Sequence, residues 1–82
     1  MSSYSSENIA ELNVLMLFHD PSSLEGIKVH KEADPVVIAA TRRLFDGGFI
    51  TQHDGGYLTP LGVEAAELTQ SLFTMLNAHK GQ

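Results

Sequence analysis

The chain has 82 residues, of which 43% are hydrophobic and 18% are charged, and it contains no cysteine. A chain of this length has room for one small domain with a modest core. Its net charge per residue is too low for a disordered chain. The lack of cysteine excludes disulfide scaffolds, thiolate zinc sites and thiol chemistry. The N-terminus has neither a basic start nor an apolar stretch, so we expect a cytoplasmic protein that does not enter a membrane.

The charge is unevenly distributed along the chain. The formal net charge is −5, which disfavours indiscriminate binding to polyanions. Four of the five basic residues nevertheless lie within residues 28–43, a stretch with a net charge of +2. We therefore expect any anion-binding surface to lie there, the alternative being a solvated helix face with ordinary lysine and arginine side chains.

The first predicted element is a helix that Ser6 caps and whose first turn carries Glu7. Pro21 disfavours the helical conformation at the preceding residue, so the helix should end by Asp20. Apolar residues recur at helical spacing and are expected to face the core: Ile9, Leu12, and Leu15 or Met16. Leu17 and Phe18 widen this apolar surface, so we expect the helix to be buried on more than one side.

Residues 22–33 fit two structures. Ser22 and Glu25 have the spacing of a capping box, which would open a short helix. Against this, Gly26 weakens a helix by about 1 kcal/mol relative to alanine, and residues 27–30 alternate between apolar and polar as a strand does. We favour one helical turn at residues 22–25 followed by extended chain.

The second predicted helix spans residues 35–46. Asp34 and Pro35 provide an N-cap and a proline at the first helical position, and Gly47 and Gly48 provide a left-handed stop. Its inward stripe comprises five residues at helical spacing: Val37, Ile38, Thr41, Leu44 and Phe45.

A hairpin follows. Residues 49–52 and 57–59 are rich in strand formers, and between them the pair Asp54 and Gly55 favours a tight turn with positive φ. Whether the loop has two or three residues decides which face Leu58 shares with Ile50, and the sequence leaves both open.

The last predicted helix spans residues 60–79 and begins with a Thr59 cap and Pro60. A heptad-like seam runs along it, formed by Leu61, Ala65, Leu68, Leu72 and Met75. Its apolar surface is wider than one seam, which predicts a homodimer interface formed by Leu68, Leu72, Phe73, Met75 and Leu76. The alternative is a plain contact between two helices in the core.

Residues that could carry catalysis do not form a recognisable pattern. The four histidines lack metal-ligand spacing: His19, His30, His53 and His79. Glu64 and Glu67 are expected to face solvent, and neither a nucleophile elbow nor a phosphate loop occurs. We therefore predict no catalytic site, no metal site and no cofactor.

The order of helix, glycine stop, hairpin and long closing helix is that of winged-helix domains, in which a recognition helix enters the major groove and the hairpin contacts the flanking backbone. Residues 44–50 resemble the passage that leaves the recognition helix of many bacterial winged-helix regulators, Leu-x-x-x-Gly-(Leu/Phe)-Ile. Residues 55–62 are similar to the Tyr-x-Leu-Thr-x-x-Gly exit of the wing, except that Tyr57 directly precedes Leu58.

This resemblance implies an α+β, mainly helical fold with three main helices and a short β-hairpin wing. The domain would span residues 6–80 after a disordered N-terminus, residues 1–5. Residues 19–34 would have to supply the first helix of the helix-turn-helix, and they have room for one or two turns, which predicts a truncated motif.

The whole chain also resembles a small uncharacterised bacterial family of about this length, known chiefly from gamma-proteobacteria. Residues 10–13, 25–30, 50–52 and 54–59 carry the likeness. Members are often labelled DNA-binding or regulatory proteins without an established activity. The resemblance therefore supports the fold but implies no site residue.

We therefore expect a homodimeric, non-enzymatic winged-helix regulator that binds double-stranded DNA. The predicted DNA-binding residues are Arg42, Arg43, Lys28, Lys31, His30 and His53. The alternative is a protein–protein interaction adaptor on the same scaffold that does not bind nucleic acid, which the net charge and the wide apolar last helix favour. Convergence of the basic side chains on one face with His53 would distinguish the two.

Overall fold

A computed structural model describes residues 3–78, which form three helices and one antiparallel sheet with the strand order β1-β3-β2. The elements in chain order are α1 (Ser6–Leu15), β1 (Ile27–Lys28), α2 (Pro35–Asp46), β2 (Ile50–Gln52), β3 (Gly55–Leu58) and α3 (Pro60–Asn77). The predicted α+β, mainly helical and winged-helix-like layout is confirmed. The predictions for residues 1–2 and 79–80 lie outside the described residues.

The N-cap of α1 is Ser5, one residue earlier than the sequence suggested. The Ser5 hydroxyl accepts a hydrogen bond from the backbone N–H of Asn8 at 3.0 Å, and the Asn8 side chain accepts one from the backbone N–H of Ser5 at 3.3 Å. This reciprocal capping box satisfies two amides at the helix start, which Ser6 inside the helix cannot do.

The buried face of α1 differs from the predicted one. Ala10, Val14 and Leu15 are buried, whereas Ile9 is 51% exposed and Leu12 is half-buried. The small side chain of Ala10 joins the core cluster together with Ala40 of α2, so the helices can approach closely on this face. The buried positions thus agree with the prediction at Leu15 and differ from it at Ile9.

No helix occurs between α1 and α2, so the predicted helical turn at residues 22–25 is wrong. Asp20 holds this segment in a turn, because the Ser22 hydroxyl donates to its carboxylate at 2.6 Å and the Ser23 hydroxyl donates to its carbonyl at 2.9 Å. Such local bonds compete with those of a helix. The chain then extends into β1, and the first helix of a helix-turn-helix is missing.

The bounds of α2 agree with the prediction. Asp34 accepts from the backbone N–H of Val36 at 2.9 Å. At the other end Gly48 has a φ of 85°, and the N–H of Phe49 donates to the carbonyl of Leu44 at 2.9 Å. This is a Schellman stop, in which only the second glycine is left-handed.

The inward stripe of α2 agrees with the prediction at Val37, Thr41 and Leu44 and differs from it at Phe45. Ala40, Thr41 and Leu44 are buried, whereas Phe45, which was expected to face inward, is 39% exposed. The Phe45 ring instead meets the ring of His53 edge-on, with centroids 6.5 Å apart. Phe45 therefore lies at the margin between α2 and the hairpin.

The hairpin has a two-residue loop, His53 and Asp54, followed by glycines with φ of 132° at Gly55 and 75° at Gly56. A bulge shifts the register, so that Ile50 lies opposite Leu58. Directly opposed residues share a face, and both side chains belong to the core or pack against it.

Thr59 joins the last helix to the rest of the domain. Its hydroxyl accepts from the N–H of Gly62 at 3.0 Å and donates to the carbonyl of Gly48 at 2.6 Å. Further along α3, the Gln70 amide donates to the carbonyl of Phe18 at 2.8 Å. Beyond Gln70, residues 71–77 are exposed.

Candidate nucleic-acid interface

A groove of about 460 Å³ lies between the β1–α2 connection, α2 and the tip of the hairpin. We call it the basic groove, and its lining comprises Lys28, Val29, His30, Lys31, Ile38, Thr41, Arg42, His53 and Asp54. Five of the six residues that the sequence indicated for DNA binding therefore line one surface: Lys28, His30, Lys31, Arg42 and His53.

Backbone contacts bring the two distant segments of this groove together. The N–H of Val29 donates to the carbonyl of Asp54 at 2.7 Å, just beyond the pairing of β1 with β3. At Gly55 the strands approach so closely that a Cβ atom would collide with the carbonyl oxygen of Ile27. Glycine at this position thus allows the hairpin tip to reach the β1–α2 connection.

The third wall of the basic groove comes from α2. Thr41 and Arg42 follow Ile38 by three and four residues, so all three line the side of α2 that faces the groove. The Thr41 hydroxyl is satisfied within the helix, because it donates to the carbonyl of Val37 at 2.7 Å. Arg42 is exposed, and within residues 3–78 no carboxylate pairs with it or with Lys31.

Lys28 is paired with the one carboxylate of the basic groove. Its ammonium nitrogen lies 3.1 Å from Asp54 Oδ2, and the Lys28 side chain remains 66% exposed. The hydrogen bond from Lys28 lowers the pKa of Asp54, and the positive charge of Lys28 acts in the same direction. With three cations, one carboxylate and neutral histidines, the lining carries a formal charge of +2.

Arg43 does not belong to the basic groove. Its Nε lies 2.6 Å from Glu11 Oε2, and its guanidinium is 3.9 Å from a Glu7 carboxylate oxygen. Neighbouring residues of a helix point about 100° apart, so Arg43 projects towards α1 while Arg42 projects into the groove. The Arg43 side chain, 34% exposed, therefore joins α2 to α1.

Two features of the site were missed by reasoning from the sequence. Asp54 was assigned to the turn alone, yet it supplies the counter-charge of Lys28. Phe45 was assigned to the core, yet it supports the ring of His53. Phe45 and His53 are eight residues apart and lie on either side of the glycines that end α2. Neither helical nor strand periodicity predicts a contact at that spacing.

The residues predicted to form a dimer interface are all exposed, and they divide into two groups. Leu72, Phe73 and Leu76 line a second hollow of about 160 Å³ between α3 and α1. Leu68 and Met75, 64% and 71% exposed, do not line that hollow. The basic groove and this hollow have no lining residue in common.

Residues 3–78 contain neither a grouping of candidate metal ligands nor a helix that could span a membrane. No three histidine, aspartate or glutamate side chains in this range are grouped so that they could hold a metal ion. None of its helices combines the length and the apolar character needed to cross a bilayer.

The comparisons with known proteins identify a family. No curated protein and no solved structure matches the chain. One family model does, and it covers residues 2–77, which includes all three helices and the sheet. The resemblance to a small uncharacterised family is thereby confirmed, and the chain belongs to the family of unknown function DUF5669.

Proposed function

We propose that the protein is a non-enzymatic regulator that binds double-stranded DNA through the basic groove and the adjoining face of α2. One observation carries this proposal: three cationic side chains and two histidines from separate segments line one surface of a molecule whose net charge is −5. Such a focused positive patch attracts a phosphate backbone that the rest of the molecule repels.

Each basic side chain has a role in this proposal that follows from its chemistry. Arg42 is the contact from the helix, because a guanidinium can bind a guanine edge or a phosphate through two parallel hydrogen bonds. Lys28 and Lys31 contact phosphates as point charges, and His30 and His53 contribute ring N–H donors beside them. Arg43 has no role in DNA binding, since Glu11 already holds it.

The missing helix limits what such a site reads. In a helix-turn-helix the first helix crosses the DNA backbone and orients the second. Here the β1–α2 connection and the hairpin tip take that place, because both flank α2 in the basic groove. We therefore expect most contacts to be made to phosphates and few to base edges, which gives modest sequence specificity.

A matched pair of neighbouring arginines tests this function. We would titrate a duplex of random sequence and a pool of genomic duplexes with the wild type, Arg42→Ala and Arg43→Ala. The wild type is expected to bind at about 50 mM salt, and Arg42→Ala to weaken binding about tenfold, as for one lost arginine contact. Arg43→Ala is expected to leave the affinity unchanged. Absence of wild-type binding at this salt concentration, or equal losses in both variants, would overturn the proposal.

The second candidate function is the interaction adaptor, and the exposed apolar face of α3 favours it. Phe73 and Leu76 are 53% and 56% exposed, which is unusual for a helix in a domain that has no partner. On this view the basic groove is incidental, and neither arginine substitution changes partner binding. The cytoplasmic location, the gamma-proteobacterial origin and the homodimer remain part of the leading proposal.

A further inference from the structure

The hollow between α1 and α3 is a surface of unusual chemistry for this protein. Its apolar lining comes from both helices: Ile9, Leu12, Met16, Leu72, Phe73 and Leu76. The two remaining lining residues, Asn13 and Thr69, are polar and uncharged. A chain with ten acidic residues thus presents one face whose lining, among residues 3–78, carries no charge.

We infer that this α1–α3 face binds a second copy of the same chain, with α1 and α3 of each copy packing against those of the other. This inference deepens the homodimer of the proposed function, whose predicted interface is a seam along α3 alone, because half of the apolar lining comes from α1 and its C-cap Met16. It does not depend on DNA binding, since the basic groove has none of these residues.

The exposed part of the face lies where a second copy could cover it. Phe73 and Leu76 are more than half exposed, and both help to line the hollow of about 160 Å³. In a dimer with a two-fold axis the same patch is used by both copies, so each copy would cover the exposed side chains of the other.

The charges around the face also permit two acidic copies to meet. Glu7 and Glu11 on α1 would bring negative charge near the contact, but both face the guanidinium of Arg43. Glu67 lines a different surface of α3, together with Gln70 and Ser71. Within residues 3–78 the lining therefore contains no carboxylate that would oppose the pairing of like chains.

The buried area and the free helix end agree with this occupant. If all of their exposed surface is covered, the six apolar side chains bury about 500 Å² per copy, so two copies bury about 1,000 Å², the lower limit for a specific interface. Residues 71–77 extend beyond the last anchor at Gln70 and are exposed. Because the last two turns of the 18-residue helix α3 fray more readily than its interior, packing against a second copy would stabilise them.

The test measures mass in solution without DNA, so that its failure is distinct from failure of the DNA-binding proposal. Sedimentation or light scattering is expected to give a mass approaching twice 8.9 kDa as the concentration rises to about 100 μM. Over the same range, amide exchange in residues 71–77 is expected to slow. A wild type that is monomeric at 100 μM would overturn the inference and leave a different protein as the occupant.

Four variants locate the interface. Leu76→Glu and Ile9→Glu change exposed residues on α3 and α1, so neither should unfold the monomer, and each is expected to raise the dissociation constant of the dimer at least about tenfold. Met75→Glu, on α3 but outside the hollow, and Leu24→Glu, in a loop and 90% exposed, are matched controls with little effect. Dissociation by Met75→Glu but not by Ile9→Glu would place the contact on the α3 seam and refute the α1–α3 face.

Discussion

Two adjacent arginines have different surroundings in this structure, although they are chemically identical. Arg42 lines the basic groove, whereas Arg43 is held by Glu11 at 2.6 Å and is only about one-third exposed. The difference follows from the 100° rotation between neighbouring helical residues and from the packing of α1 on the Arg43 side. A contribution to stability is therefore expected from Arg43 and not from Arg42.

We predict that Arg43→Met lowers the free energy of unfolding by about 1 kcal/mol, the upper range for a partly exposed ion pair. Arg42→Met, which also keeps the aliphatic stem, is expected to change it by less than about 0.5 kcal/mol, as is usual for a surface position. Urea unfolding of both variants provides the measurement. A double-mutant cycle with Glu11→Gln should show coupling to Arg43, and strict additivity would contradict the assignment.

The pair of Lys28 and Asp54 predicts a pH dependence with a definite sign. The pKa of Asp54 is lowered below its ordinary value of 3.8 in the folded chain. A carboxyl whose pKa is lowered on folding adds stability above its unfolded pKa, and this is lost as the pH falls through the folded value. The melting temperature of wild type should thus exceed that of Lys28→Met at neutral pH, and the gap should close below pH 3.8.

Lys31→Met is the matched control for this pH experiment, because within residues 3–78 Lys31 forms no ion pair. Its melting temperature should follow that of the wild type at every pH. A gap between wild type and Lys28→Met that persisted at strongly acidic pH would show that Lys28 acts through packing rather than through Asp54.

At the scale of the elements, the start of α3 is fastened to the end of α2 through one corner. Thr59 bonds both to Gly48 and to Gly62, and a Cβ atom at Gly62 would collide with the backbone carbonyl of Phe49. Gly48 differs, because it has a φ of 85° but open space around it. One glycine is thus required by close approach and the other by backbone conformation.

We predict that Gly62→Ala destabilises the protein more than Gly48→Ala. The alanine at position 48 meets only the cost of a left-handed conformation, about 1 kcal/mol. At position 62 the backbone of Phe49 has to shift and Thr59 loses its geometry, so we expect a loss above about 2 kcal/mol, as for other overpacked sites. Thermal unfolding of the two variants measures the difference, and equal losses would contradict this account of the corner.

At the scale of the whole molecule, a positive groove lies on a chain with a net charge of −5, and a separate uncharged hollow lies between α1 and α3. These surfaces have no lining residue in common. The proposed dimer contact would therefore use none of the lining residues of the groove, and a dimer would carry twice as many groove cations as one copy.

Because the basic groove has only three cations, we predict that the affinity for DNA depends weakly on salt concentration. Three cations per copy that each neutralise one phosphate give a slope of log K against log salt of about −2.7 per copy and about −5.4 for a dimer. Arg42→Ala should make the slope per copy less steep by about one unit, measured by titration at several salt concentrations. A slope near zero would exclude phosphate contacts.

Local signals in the sequence determined the elements that are stabilised by hydrogen bonds between residues close together in the chain. Asp34, Pro35 and the two glycines after residue 46 determined the bounds of α2, and Thr59 with Pro60 determined the start of α3. Local competition also explains the main failure, because the bonds of Asp20 to two serines replaced the helical turn predicted beside them. The two-residue strand β1 exists because β3 lies beside it.

Only the tertiary structure decided which residues share a surface. Sequence spacing placed Ile9 and Leu12 on the core side of α1, but burial depends on where α2 packs, and α2 packs on the side of Ala10 and Val14. Likewise the sequence determined that Lys28, Arg42 and Arg43 are basic and close in number. The fold alone determined that Arg42 joins Lys28 in the groove while Arg43 meets Glu11, because the direction of a side chain is set by helix phase and by contacts between residues far apart in the chain.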